Sequence, residues 1–198
     1  MAIIQGGTGL GYSAKVNSDN RLYTFASSVP AGVIAAANKK MWLVISGDLT
    51  YTTDAESAVL YLRYTGVNEL VISQYNLTIG ESTGGTGLTS FTTYANPTAG
   101  TLISDQTAAT ISNRNFSGTS GSLPGVQYVG GQGKTITGGA TFGTLKFPED
   151  LGVEQVSFET VPIVLEGGNS LAITCTPPAG NTSQINRVSI ICYELVVE

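Results

Sequence analysis

At 198 residues the chain is long enough for one domain that buries most of its unfolded surface. Only 12% of its residues are charged, 25 are glycine, none is histidine, and the net charge is −5. With no histidine the usual general base, commonest metal ligand and ordinary catalytic triads are excluded. No stretch joins Lys and Arg to aromatic residues, which excludes a phosphate-neutralising nucleic-acid surface.

The charge is unevenly spread: residues 148–198 hold seven of the 14 acidic groups and one basic group, Arg187. The amino end has neither the basic start nor the apolar run of an export signal, and the apolar run in "KKMWLVISG" is five residues, far short of a membrane span. The expectation is a protein made in a cytoplasm, with no membrane and no nucleic acid among its partners.

Residues 1–30 show no helical period and no alternation before "RLYTFA", and "SSVPAG" reads as a break. They are expected to form an extended arm, which at about 3.3 Å per residue would reach about 100 Å. Residues 31–198 are expected to form the folded domain.

From residue 40 onward the strand signals are dense. "MWLVISGDLTYT", "AVLYLRYTG" and "ELVISQYNLTIG" are rich in β-branched and aromatic residues and bounded by Gly, Asp or Asn. In "LYLRY" the alternation predicts Leu60, Leu62 and Tyr64 on one face and Tyr61 and Arg63 on the other. The stretch Gly80 to Gly143 holds 14 of the 25 glycines and reads as short strands between long loops, with "TSFTTY", "TLIS" and "TFGTLKF" as the strands.

The carboxy-terminal part predicts a strand, a Gly-Gly-Asn turn, a second strand, a loop from Thr176 to Asn186 and a long final strand. The last two strands are expected to pair through that loop. The final strand is apolar on both faces, which predicts burial on both sides and a place inside a sheet. The predicted fold class is all-β: a single jelly-roll-like β-sandwich with an extended N-terminal arm. An immunoglobulin-like sandwich is the structural alternative.

Several motifs invite a sharper reading. "GGTGLG" lacks the strand before it and the helix after it that a dinucleotide loop requires. "YVGGQGKT" has Tyr128 where a P-loop needs its first glycine, so a tight loop with a solvated Lys134 is expected. "GGTGL" occurs twice, at Gly6 to Leu10 and Gly84 to Leu88, without a repeat period around it.

Two acidic groups, Asp48 with Asp54 and Glu56, and Glu149 with Asp150 and Glu154, are candidates for glycoside chemistry or for Ca²⁺. Solvated loop acids are the expected reading of both, so no catalytic residue, cofactor or metal is assigned. Cys175 and Cys192 read as two buried thiols, with a disulfide as the alternative.

The order of "IIQGGTGLGYSAKVNSDNRLYT", "NPTAGTLIS", "NRNF" and "VLEGGNSLAITCTPPAGNTSQINRVSIICYE" resembles the small jelly-roll virion structural proteins of tailed double-stranded DNA bacteriophages, of the capsid decoration or head-associated class. The resemblance implies a non-enzymatic capsid decoration or cement protein that stabilises the head shell. It implies a homo-oligomer, with a trimer favoured, bound to the major capsid protein or other virion proteins. The arm would then be a tether, with Ile3, Ile4, Leu10, Tyr12, Leu22, Tyr23 and Phe25 as its assembly contacts. The alternative is a receptor- or glycan-binding host-recognition module of a head fibre, tail fibre or baseplate.

Overall fold

The computed structural model describes residues 35–36, 38–80, 82–114, 122–148, 152–157 and 163–195, with 152–157 described by backbone alone. In chain order the elements are β1 (Met41–Ile45), β2 (Leu49–Tyr51), β3 (Ser57–Tyr64), β4 (Leu70–Ile79), β5 (Leu88–Ala95), α1 (Thr101–Ser104), β6 (Thr110–Asn113), β7 (Gly125–Val129), β8 (Ala140–Pro148), β9 (Gly152–Ser157), β10 (Ile163–Leu165), β11 (Ser170–Thr176) and β12 (Gln184–Glu194). They form two antiparallel sheets. The first runs β10-β4-β12-β1-β6, with β2 also on β12 and β9 also on β4; the second runs β7-β3-β11-β5-β8.

The pairing has one simple origin. Val44 lies opposite Ile190, Leu60 opposite Ile173, Ile72 opposite Ile163, Leu77 opposite Glu154 and Phe91 opposite Leu145. All five pairs are centred between residues 115 and 118, so the chain folds back on itself as one long antiparallel hairpin. Successive pairs of this hairpin go to alternate sheets, and the β12–β4 and β11–β5 ladders close the roll. That is the jelly-roll sandwich.

Local sequence explains where the strands break. Gly47, at φ 76°, parts β1 from β2 inside the single predicted run "MWLVISGDLTYT". In β4 a register shift opposite Ile191 and Cys192 leaves Ser73 unpaired, so buried positions run Leu70, Val71, Ile72, Tyr75, Leu77 and Ile79 rather than in strict alternation.

Three expectations need correction. "TLIS" is a single helical turn, α1, because Gly100 at φ 124° turns the chain and Leu102 is drawn into a small apolar cluster. The last two strands do not pair with each other. β11 lies between β3 and β5, and β12 lies between β4 and β1, because the connection 177–183 crosses from one sheet to the other. β12 does sit inside its sheet, but it is buried on one face only: Gln184, Asn186, Val188, Ile190, Cys192 and Glu194 are buried while the alternate residues are half-buried or exposed.

The core lies between the sheets. Leu60, Leu62 and Tyr64 of β3 point into it as predicted, together with Trp42, Tyr75, Phe91 and Ile190. Two polar ties cross it, one at each end of β12. Thr89 of β5 donates to Gln184 Oε1 at 3.1 Å, and Tyr64 of β3 donates to Glu194 Oε1 at 2.6 Å. Each satisfies groups that would be costly to bury alone, and together they fix both ends of the closing strand against the opposite sheet.

Candidate functional site

The structure separates the acids that the sequence groups. Asp48 accepts from Arg187 Nε at 2.8 Å, Asp54 accepts from the Gly180 N–H at 3.1 Å, and Glu56 accepts from Tyr94 Oη at 3.0 Å and Thr174 Oγ1 at 2.6 Å. Each carboxylate has its own partners, so the three do not converge as an acid–base pair would. Among the described residues no group of three His, Cys, Asp or Glu could hold a metal ion. Glu149 and Asp150 lie outside the described residues, and the side chain of Glu154 is not described.

The thiols are inert by placement. Cys175 is in the second sheet and Cys192 in the first, and both are free and buried. Burial pushes the Cys192 thiol up to about 12, aided by the nearby Glu194 charge, and burial likewise raises Cys175. Neither is a thiolate at neutral pH, as nucleophilic chemistry would require.

Glu194 is the one deeply buried carboxylate among the described residues, at 2% exposure. Burial alone would raise its pKa, but hydrogen bonds from Lys40, Tyr64 and Asn68 and the Lys40 charge outweigh that and lower it. The Lys40 ammonium stands 2.8 Å from Oε2. The same cluster raises Tyr64, first by burial and then by its bond to Glu194. A side chain on Gly66 would run into the Tyr64 hydroxyl, so that turn is shaped around the ring. These groups are locked together, and their role is to brace the sandwich.

The "YVGGQGKT" segment is a tight turn after β7, with Gly133 at φ 75°. Its lysine is not merely solvated: Lys134 pairs with Asp105. The turn and α1 are laced together, the Leu102 N–H donating to Thr135 O at 3.2 Å and the Thr135 N–H to Thr101 Oγ1 at 2.8 Å.

What remains is a surface suited to contact. β8 is the outer strand of the second sheet, and most of its residues are exposed. A register shift between Thr93 and Tyr94 leaves Phe142 as the extra residue of a bulge. Phe142 is 59% exposed and Val164 of β10 is 41% exposed, and both line an apolar groove of about 230 Å³ where the outer strands of the two sheets approach. The sequence signal for this feature is the Phe-Gly pair inside "TFGTLKF", since a glycine within a strand often marks a bulge.

The seven arm contacts, Ile3, Ile4, Leu10, Tyr12, Leu22, Tyr23 and Phe25, lie outside the described residues. No protein-family model matches the chain, and no curated protein matches it in sequence. Among the described residues no helix is long and apolar enough to cross a membrane.

Proposed function

We propose that this chain is a non-enzymatic virion structural protein, a capsid decoration or cement protein that binds and stabilises a phage head shell. In this reading residues 1–30 form the tether and the sandwich supplies contacts between copies, three to an assembly. Its partners are the major capsid protein or other virion proteins, and its station is the virion.

The observation that carries the reading is the apolar groove between β8 and β10, with Phe142 and Val164 exposed along it. Neighbouring large apolar side chains in one groove mark a contact surface more strongly than scattered ones do. The backbone edge of β8 is itself guarded by its bulge, by Lys146 and by Pro148. Contact is therefore made by side chains seated in the groove, and strand addition is disfavoured. A sandwich with each described carboxylate of the Asp48–Glu56 segment engaged suits a durable shell component.

Two measurements test this. Light scattering of the full chain is expected to give the mass of three 20.5 kDa chains, and Phe142→Ser is expected to weaken that association. Parent particles depleted of this chain are expected to rebind it, and to lose most of that occupancy when Ile3, Ile4, Leu10 and Tyr12 are changed to Ser. A monomer that does not occupy such particles would overturn the proposal.

A further inference from the structure

On the outer face of the second sheet an open cleft of about 350 Å³ lies between the segment after β5 and the turn before β11. Its floor is rigid. Tyr61 is 4% exposed, stacked on Tyr128 with ring centroids 5.9 Å apart, and clustered with Ala58, Leu102 and Ala172. Its rim is rigid as well. Asn96 is held at φ 50°, an uncommon conformation for a residue other than glycine, by two bonds with Ser170: its N–H donates to Ser170 O and its Oδ1 accepts from the Ser170 N–H, each at 2.8 Å.

Among the described residues Arg63, which lines this cleft, has no counter-charge. Its cross-strand neighbours are Val126 on β7 and Ser170 on β11, and its same-face neighbour along β3 is Tyr61, all uncharged. The ion pairs among the described residues are Lys40–Glu194, Lys134–Asp105 and Arg187–Asp48, none of which uses Arg63. Glu56, on the same outer face, is taken by Tyr94 and Thr174. Asn96 and Asn169 line the same cleft, and among the described residues neither side-chain NH2 group has a hydrogen-bond acceptor, although the Asn169 backbone N–H donates to Glu166 O at 3.0 Å. One guanidinium side chain and two carboxamide side chains thus line a single small pocket, with Pro97 and Ile103 as its apolar wall.

We infer that this cleft binds an acidic sugar residue, the Arg63 fork taking the carboxylate and the Asn96 and Asn169 amides taking ring hydroxyls. One cation calls for one negative charge, which does not suit a phosphate backbone that needs several. β3 and β11 are interior strands, so a peptide has no free sheet edge here to extend. The inference does not rest on the assembly reading, because its test reads a soluble probe and not a shell.

The test is a ligand-observed NMR titration of the full chain with glucuronate, glucose and N-acetylglutamate. Glucuronate is expected to bind saturably, and the other two at least about tenfold more weakly, since each lacks one half of the recognition. Arg63→Gln is expected to lose glucuronate binding by at least about tenfold and Arg63→Lys to retain part of it, since an ammonium keeps the charge and loses the fork. Asn169→Ala, a change in an exposed turn, is expected to weaken glucuronate by about threefold or more, and provides the reading if Arg63→Gln does not fold. No saturable glucuronate binding, equal binding of glucose, or an unaffected Arg63→Gln variant would each overturn the inference. N-acetylglutamate binding as tightly as glucuronate would make this a carboxylate site without sugar selectivity, and would overturn it too.

Discussion

On the outside of the first sheet, half-buried polar side chains tie the strands to one another: Ser73 Oγ donates to Ile191 O at 3.2 Å and Asn76 Nδ2 to Ser189 Oγ at 3.2 Å. On the outside of the second sheet, Ala58, Tyr61 and Ala172 are buried with Leu102 beneath α1 and the turn after β7. Among the described residues, the first sheet stops at its own side chains. The other carries a second, smaller core, and that core is what holds the Arg63 cleft in shape. An antiparallel sheet needs only one buried face, so the second covered face is extra structure whose removal should spare the sandwich's topology and disturb the cleft.

The largest expected effect breaks this contrast directly. Tyr61→Ala removes a buried ring and its stacking on Tyr128, at an expected cost of about 3–5 kcal/mol. Tyr193→Ala, on the half-buried outer face of the first sheet, is expected to cost about 1 kcal/mol or less. Denaturant unfolding followed through the single tryptophan, buried Trp42, reads both variants. Equal costs would mean that the first sheet's outer face is also covered in solution.

Gly130→Ala comes next. A methyl group there would meet the Ala58 carbonyl oxygen of β3, a backbone atom that cannot swing aside. The turn after β7 must then lift from the sheet, at an expected cost of about 2–3 kcal/mol. Amide exchange should quicken at Leu102 and Thr135, whose N–H groups join α1 to that turn, while β12 keeps its protection. Uniform loss of protection would show that the two cores are one cooperative unit.

The contrast also explains how much of the molecule was legible in sequence. Alternation in "LYLRY" placed Leu60, Leu62 and Tyr64 toward the core and Tyr61 and Arg63 away from it, and the structure agrees. What alternation cannot reveal is whether the outward face meets water or a second layer. Tyr61 becomes buried because residues some 40 to 75 positions along, in α1, in β7 and in the turn after it, pack around it. The same long reach hid the helical turn at "TLIS", where two apolar residues in four fit a strand as well as a helix. Pairing of the last two strands was misread for a related reason. A loop that can close a hairpin can equally cross the sandwich, and only the nested register of the whole chain selects the second. The acids of the 48–56 segment lie close in sequence, yet each turns to a partner distant in sequence, Arg187 and Tyr94 on strands and Gly180 in the connection before β12.

A change in the tie between the sheets, belonging to neither outer face, should be intermediate in size. Glu194→Gln keeps the shape but loses the charge that Lys40 and Tyr64 address, at an expected cost of about 2 kcal/mol at neutral pH. Because the folded pKa of Glu194 is lowered, the unfolded chain binds the proton more readily. The carboxylate's contribution is therefore complete above its unfolded value of about 4.3 and fades as pH falls through the lower folded value. Thermal melts from pH 6 to pH 2 should show the native chain losing its advantage over Glu194→Gln across that window. A constant difference would assign the stability to packing rather than to charge.

The smallest expected effect is at Arg187, which reaches from the outer face of β12 to Asp48, with the two side chains 46% and 56% exposed. Its nitrogen stands 2.7 Å from the carboxylate, but both groups remain largely hydrated, and exposed pairs of this kind contribute about 0–1 kcal/mol. Arg187→Ala should therefore shift the unfolding midpoint only slightly, and the shift should vanish at about 1 M salt, where the screening length falls to about 3 Å. The contrast between the faces depends on that small number. A loss well above about 1 kcal/mol that salt does not erase would mean that the pair is shielded from water in solution.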